Sequence, residues 1–297
     1  MLLCSAGVVW GTIGPAVDVV HERSSLSVLT IGAYRSVAAV AVLALAATAT
    51  RRWPACLTLV REHGRRVALV GVLSAAFQLL FFLAVVSAGV SIATVLALGF
   101  APVLLLMVVS ARERRLPSLP QSLTVGTALL GLVLVATSGF GVVHAPHPAL
   151  GLLAALGSGA AFALAADLGG SLTQEHDALA VTTCTVGVVA AVLVPGGLGL
   201  ALLRDESTAT SDPGAWAGIV YLGVVTMAFA YLLLYAGLRS TPSDMAVVAT
   251  LLEPVTAVVI AVLLLGESLT ATGVLGCLLI LAAIGSLGRG TGQPPAQ

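Results

Sequence analysis

Residues 71–103 read GVLSAAFQLLFFLAVVSAGVSIATVLALGFAPV, and residues 223–255 read GVVTMAFAYLLLYAGLRSTPSDMAVVATLLEPV. Aligned without a gap at an offset of 152 residues, the two segments share 11 identities in 33 positions. The identities include Gly71/Gly223, Phe77/Phe229, Ser91/Ser243 and Pro102/Pro254. Matches of Gly, Phe, Ser and Pro are much less frequent by chance than matches of Ala, Val and Leu. The second half of the chain therefore repeats the first.

The rest of the chain is as apolar as these two segments. Of its 297 residues, 59% are apolar and 9% are charged, whereas a soluble domain is typically about 45–50% apolar and about 25% charged. A soluble fold of this length has too few polar residues here to cover its surface. The composition excludes a soluble globular enzyme and indicates that membrane lipid surrounds most of the chain.

The charged residues exclude further classes of function. The formal net charge is zero, with 13 basic and 13 acidic residues, so no nucleic-acid partner is indicated. All 13 basic residues are Arg, and the chain has no Lys. The absence of Lys excludes a GxxxxGK phosphate-binding loop, and with it an ATP-driven motor of that type. It also excludes Schiff-base catalysis on Lys.

Ten apolar segments each have about the 20 residues that a helix needs to cross a bilayer. They cover approximately residues 2–20, 27–49, 66–87, 90–111, 121–140, 150–171, 177–203, 214–237, 244–266 and 271–289. Lipid offers free backbone groups no hydrogen-bond partner, and no segment alternates like a barrel strand. The predicted fold class is therefore an all-α integral membrane protein with ten transmembrane helices.

The arginines predict the orientation, because basic residues in short loops stay on the cytoplasmic side of a membrane. With the N-terminus inside, the outside loops hold only Arg23 and Arg204, and Arg35 lies within a span. The other ten arginines then lie inside: Arg51, Arg52, Arg61, Arg65, Arg66, Arg112, Arg114, Arg115, Arg239 and Arg289. We therefore expect a multi-pass protein of a bacterial inner (plasma) membrane with both termini in the cytoplasm.

The repeat divides the chain into two predicted domains of five spans each, residues 1–140 and 150–289, followed by a short cytoplasmic tail at 290–297. Because five is an odd number, the second copy must enter the membrane from the opposite side. Such inverted-topology repeats are common in secondary transporters, which bind substrate between the two halves.

Several motifs resemble one known family. Leu252-Glu253-Pro254-Val255 lies in the ninth span, Gly266-Glu267 follows it, and Trp10-Gly11 in the first span aligns with Phe162-Ala163. The chain thereby resembles the EamA-like members of the drug/metabolite transporter superfamily over nearly its whole length, although Arg114-Arg115 stands where the first half would repeat Gly-Glu. The resemblance implies a ten-helix carrier of two inverted repeats, often an exporter of amino acids or other metabolites, with spans five and ten as outer supports.

Two ionisable residues lie well inside predicted spans, where a charge is costly enough to suggest a function. Glu253 lies near the middle of span nine and Arg35 near the centre of span two. Together they are predicted to hold the two ends of a zwitterionic amino acid, since Arg binds carboxylates bidentately. Alternatively, Glu253 satisfies backbone groups loosened by Pro254, and Arg35 forms a structural ion pair or lies nearer the interface.

Pro102 and Pro254 lie at equivalent depths in spans four and nine, and each is predicted to kink its helix. Matched interruptions in two halves point to a transporter's site, the alternative being kinks that serve packing alone. Asp167 is a candidate for gating or proton transfer, or else a solvated carboxylate. Five polar-tipped or aromatic residues inside the spans are further candidates for substrate binding: Trp10, Tyr34, Gln78, Tyr231 and Tyr235. The alternative is that they anchor helices at the membrane interface or make helix–helix contacts.

Residues for catalysis or metal binding are not found in the expected patterns. The four Cys show no pairing or metal-ligand spacing. The five His all fall in or beside predicted loops, and no HExxH motif is present. We therefore expect neither an enzyme nor a metal site, and no cofactor.

The predicted function is secondary active transport of small organic solutes by alternating access around a midplane cavity formed by spans one to four and six to nine. Movement would follow the solute gradient or couple to protons through Glu253 or Asp167. A passive channel would need a more continuous polar lining. A membrane scaffold or regulatory subunit, or a carrier of lipid-linked substrates, remains an alternative. The predicted partners are membrane lipid, a small-molecule substrate and protons, for a monomer or homodimer.

Overall fold

The computed structural model of the protein describes residues 1–138, 147–265 and 270–290, and within these ranges all regular secondary structure is helical. His144, the Gly266-Glu267 motif and the tail beyond residue 290 lie outside the described residues.

The described chain forms a series of apolar helices joined by short turns. They are α1 Leu2–Ser24, α2 Val28–Ala49, α3 Trp53–Ala88, α4 Val90–Glu113, α5 Leu119–Ser138, α6 Pro148–Glu175, α7 Ala178–Leu203, α8 Pro213–Leu238, α9 with its segments Ser243–Thr250 and Leu252–Leu265, and α10 Ala271–Gly290. Over the described residues, α1 to α9 are the 9 helices long and apolar enough to cross a membrane. The tenth predicted span corresponds to α10, whose apolar part, Ala271–Leu287, is shorter.

Side-chain caps fix where several helices begin. The Ser27 hydroxyl accepts a hydrogen bond from the backbone N–H of Thr30 at the start of α2. Asp177 accepts the N–H groups of Leu179 and Ala180 at the start of α7, and Asp212 caps α8 in the same way. Each cap satisfies backbone donors that the first turn of a helix leaves free.

Helix α3 begins earlier than the sequence predicts. It starts at Trp53 rather than at residue 66, and its axis bends at His63, where φ is −129° and ψ is 23°. The added segment is amphipathic: Cys56 and Leu59 are buried while Arg61 is exposed. Its charges interrupt the apolar run on which the sequence-based boundary depended.

Helices α1 and α9 are interrupted, and the two interruptions face each other. Helix α1 breaks at Gly11-Thr12, and α9 breaks at Leu251, just before Pro254, which has no N–H to donate to Thr250. A Cβ on Gly11 would lie 2.6 Å from the carbonyl oxygen of Glu253, so only glycine fits there without a shift. Helix α4, by contrast, continues through Pro102.

The packing between the two halves of the chain is repeated with the roles exchanged. Helix α3 packs on α6 while α8 packs on α1, and α4 packs on α6 while α9 packs on α1. Helix α2 packs on its own counterpart α7, and α5 on its counterpart α10. The closest contacts repeat as well, since Gly7 meets the Thr250 carbonyl and its counterpart Gly159 meets the Ala97 carbonyl.

The turns lie at two opposite ends of the helix bundle. At one end, which we call the arginine-rich end, Arg52 pairs with Asp177 at 3.5 Å and Arg112 pairs with Asp167 at 2.7 Å. At the other, arginine-poor end, Arg23 lies 3.9 Å from Asp212. Between the ends, large apolar side chains such as Leu45, Met107 and Leu263 are exposed on the outside of the bundle, as expected for a surface that lipid covers.

Candidate functional site

A cavity of about 350 Å³ lies among helices α1 to α4, α7 and α9. Its lining includes Asp18, Arg35, Phe77, Gln78, Leu193 and Glu253. Asp18 and Val28 line the cavity and are themselves exposed. Because both lie near the turn between α1 and α2, the cavity opens toward the arginine-poor end.

Arg35 is the cationic group of this cavity. Its Nη2 donates a hydrogen bond to Oε1 of Gln78, and Nε2 of Gln78 donates to the carbonyl of Ser74 at 3.3 Å. Nε of Arg35 is buried and, among the described residues, has no hydrogen-bond partner. A buried donor without a partner is costly, so Arg35 retains the capacity to bind an acceptor inside the cavity.

Glu253 brings a carboxylate into the same cavity from the other half of the chain. It lies in the first turn of Leu252–Leu265, where the helix dipole favours a negative charge. Within the part of the chain that the structure describes, its side chain makes neither a hydrogen bond nor an ion pair, so contacts to the backbone loosened by Pro254 are not seen. Arg35 and Glu253 thus share a cavity without pairing to each other.

These polar groups have no polar counterparts in the repeat. The residues that the offset of 152 places opposite Arg35, Gln78 and Glu253 are Gly187, Ala230 and Ala101. Ala230 and Ala101 are fully buried. The residues at the repeat-related positions therefore cannot form a second set of these three polar groups.

The aromatic candidates form a cluster beside the cavity instead of lining it. Nε1 of Trp10 donates to the carbonyl of Thr226 at 3.0 Å, and its ring packs edge-to-face on Phe162 at 6.0 Å and on Tyr231 at 5.6 Å. Tyr235 extends the cluster, 6.2 Å from Tyr231. Trp10 and Phe162 are repeat counterparts, so their contact lies where the two halves meet. The cluster therefore lies next to the cavity that Arg35 and Glu253 line.

Tyr34 lies apart from the other candidates. Its hydroxyl donates to the carbonyl of Thr208 at 2.6 Å, and its ring packs edge-to-face on Trp216 at 5.1 Å. It therefore joins α2 to the segment before α8 and does not line the cavity. The apolar lining residues Phe77, Phe81 and Leu193 were not predicted, because an aromatic or aliphatic residue in an apolar span carries no distinguishing signal.

Asp167 belongs to a different structure, which we call the Asp167 latch. One of its carboxylate oxygens pairs with Arg112 at 2.7 Å, and the other accepts a hydrogen bond from Ser243 at 3.0 Å. The latch joins α4, α6 and α9 at the arginine-rich end, beside a second cavity of about 370 Å³. At the arginine-poor end, the repeat counterpart of Asp167 is Pro15, and the counterpart of Ser243 is Ser91. In the part of the chain that the structure describes, Pro15 therefore cannot form an equivalent latch at that end.

Comparison with known proteins agrees with the architecture. The model of the EamA-like transporter family matches residues 1–137 and 149–288. A protein of Bacillus subtilis (strain 168) described as the uncharacterized transporter YwfM is 28% identical over 282 residues, which are 93% of this chain and 88% of the relative. A crystal structure with 16% sequence identity has a TM-score of 0.77 over 98% of both chains, a likeness of fold alone. Since the family matches cover nearly the whole chain, this multi-pass membrane protein belongs to the EamA-like transporter family.

Proposed function

We propose that the protein is a secondary active transporter of small zwitterionic solutes, in particular amino acids with apolar side chains. The observation that carries this proposal is that Arg35 and Glu253 come from opposite halves of the chain, line one cavity and do not pair with each other. One amino acid would satisfy both, because its carboxylate accepts hydrogen bonds from Arg35 and its ammonium group donates to Glu253.

The size and walls of the cavity support a small solute with an apolar side chain. A volume of about 350 Å³ is near the lower end of the roughly 300–1,000 Å³ typical of ligand sites. Beyond the polar groups, the wall is made by side chains such as Phe77, Phe81 and Leu193. Burying an apolar side chain against them is favourable, whereas a polar solute would lose hydration there without compensation.

The repeated packing supports alternating access as the mechanism. The exchanged helix contacts and the two successive family matches support two inverted repeats of five spans. In this conformation the cavity opens at the arginine-poor end, and the Asp167 latch lies at the other end. If the arginine-rich end is cytoplasmic, both termini are in the cytoplasm and this conformation faces outward. An exporter would load its solute after the latch opens.

The cavity also offers a route for proton coupling. Protonation of Glu253 would remove the negative charge that attracts the ammonium group of the solute. A proton and the solute would then compete for one carboxylate, and protons entering the cell would release solute to the outside. The chain has no Lys for a GxxxxGK nucleotide-binding loop, and exchange of a solute for protons requires no nucleotide hydrolysis.

Flux in proteoliposomes tests the proposal, with leucine and valine as probes and with or without a pH gradient. Glu253→Gln and Arg35→Gln each remove a charge-assisted contact worth about 1.5–3 kcal/mol, so kcat/KM should fall about 10- to 150-fold. Glu253→Gln should also abolish the effect of the pH gradient. Glu206→Gln is the matched control, since this carboxylate lies in the turn after α7, 3.9 Å from Arg204.

Two results would refute the proposal. One is saturable flux that neither cavity variant reduces. The other is the absence of flux for every amino acid in a folded preparation, which would favour a lipid-linked substrate or a non-transport role.

A further inference from the structure

Two histidines and a glutamate lie together at the arginine-rich end, away from the transport cavity. Glu62, His63 and His176 each place one side-chain ligand atom within 4.8 Å of the others. The two imidazole rings are 5.0 Å apart between centroids, with an angle of 70° between their planes. His63 belongs to α3 in the first half, and His176 ends α6 in the second half, so this histidine cluster connects the halves.

The backbone holds both histidines in place. Helix α3 bends at His63 itself. His176 leaves the helical conformation at the end of α6, with φ −124° and ψ 162°, and its N–H is bonded to the carbonyl of Leu172 at 2.9 Å. The next residue, Asp177, caps α7 and pairs with Arg52, so its carboxylate is already engaged.

Each histidine has a ring nitrogen that the protein leaves unsatisfied. Nδ1 of His63 and Nε2 of His176 are buried and have no hydrogen-bond partner among the described residues. The other nitrogen of His63, Nε2, lies 3.7 Å from the Glu175 carboxylate. A histidine that binds a metal usually donates a hydrogen bond from its second ring nitrogen, often to a carboxylate, and Glu175 lies just beyond that distance from Nε2. The arrangement therefore leaves Nδ1 of His63 available to a cation.

We infer that His63, His176 and Glu62 bind a divalent transition-metal ion such as Zn²⁺, with Glu175 orienting His63. Imidazole and carboxylate donors suit such ions, whereas Ca²⁺ and Mg²⁺ prefer oxygen ligands alone. Two ligands about 2.1 Å from a tetrahedral Zn²⁺ are about 3.4 Å apart. Ligand atoms within 4.8 Å of one another would have to approach by at most about 1.4 Å to reach that spacing.

A bound ion would connect the two halves of the chain. It would join α3 to the turn between α6 and α7, at the same end of the bundle as the Asp167 latch. This inference concerns a site separate from the solute cavity and holds whether or not the transported solute is an amino acid.

Calorimetric titration of the purified, detergent-solubilised protein with Zn²⁺ alone tests the site. We expect the wild type to bind one ion per chain. The affinity should be at least about 100-fold weaker in His63→Gln and in His176→Gln, because loss of an outer-shell partner alone weakens metal binding by up to about 100-fold. His147→Gln is the matched control, because His147 is exposed at the start of α6, at the opposite end. Zn²⁺ should also raise the Tm of the wild type and of this control, but not that of the double variant His63→Gln/His176→Gln.

Co²⁺ identifies the ligands spectroscopically. Histidine and carboxylate ligation gives weak visible absorption bands, whereas ligation by Cys56 or Cys184 adds an intense thiolate charge-transfer band in the near ultraviolet. That intense band would overturn the inference. So would failure to bind Zn²⁺, or equal affinity in the wild type and the double variant.

Discussion

The contact between α5 and α10 gives a quantitative prediction about packing. Gly131 and Gly276 meet there, and a Cβ built on either would lie 2.6 Å from the carbonyl oxygen of the other. Ordinary van der Waals contact starts at 3.4 Å, so the clash with the Gly276 carbonyl requires Gly131→Ala to separate the two helices by about 0.8 Å. The side chain of Ile280, whose Cγ1 would lie at 2.9 Å, must move as well. Overpacking of this kind costs about 1–3 kcal/mol.

Gly126→Ala provides the matched control within the same helix. Nothing lies within 4 Å of a Cβ at Gly126, and both substitutions gain the same helix propensity, about 0.8–1.0 kcal/mol. The difference between the two variants therefore isolates the packing cost. We expect Gly131→Ala to have a free energy of unfolding about 1–3 kcal/mol lower than Gly126→Ala, measured by denaturant titration in mixed micelles. Equal stabilities would refute the close approach of α5 and α10.

A double variant tests whether the two glycines share one contact. Once the first Cβ has separated the helices, the second should cost less, so Gly131→Ala/Gly276→Ala should be less destabilised than the sum of the single variants. Neither glycine lines the solute cavity. Solute flux per folded molecule should therefore remain at the wild-type level in all three variants.

Two further variants probe the interior and the Asp167 latch. Trp10→Phe removes the buried donor to the Thr226 carbonyl and should lower the free energy of unfolding by about 1 kcal/mol. The control is Trp53→Phe, which removes only an exposed hydrogen bond to the Thr48 hydroxyl. An unchanged stability of Trp10→Phe would contradict the buried contact. Asp167→Asn should speed maleimide labelling of Leu238→Cys several-fold in a background without native cysteines, because Leu238 is buried beside the latch. An unchanged labelling rate would show that the latch does not close this end, and exposed Asp205→Asn controls for loss of charge.

The membrane class and the family were predictable from the sequence because both depend on local features. Apolar runs of sufficient length set the helices, and the Glu253-Pro254 and Trp10-Gly11 motifs indicated the family. The segment Trp53–Glu62 was missed because its charges interrupt the apolar run, whereas its helical conformation depends on burying Cys56 and Leu59 against other helices.

The candidate site was predictable only in part. Arg35, Gln78 and Glu253 were identifiable as polar groups within apolar spans, and they converge on one cavity. Which face of a helix lines the cavity depends on packing between helices. The sequence alone therefore could not show that Trp10 and Tyr231 lie in the neighbouring aromatic cluster and do not line the cavity.

The histidine cluster was not predictable from spacing. His63 and His176 are 113 residues apart in the sequence, and only the contact of α3 with α6 and α7 brings them together. The sequence therefore predicted no metal site.

The Asp167 latch, present at only one end, has a consequence for the kinetics of transport. Two identical repeats would give two conformations of equal energy, and the unloaded carrier would spend equal time in each. In the proposed mechanism, residues by which the copies differ can shift that balance, and the ion pair between Asp167 and Arg112 would stabilise the conformation in which it forms. A solute that binds the other conformation must then shift the equilibrium away from the one that the ion pair favours, which lowers its apparent affinity. The concentration for half-maximal transport is therefore expected to differ between the two faces of the membrane.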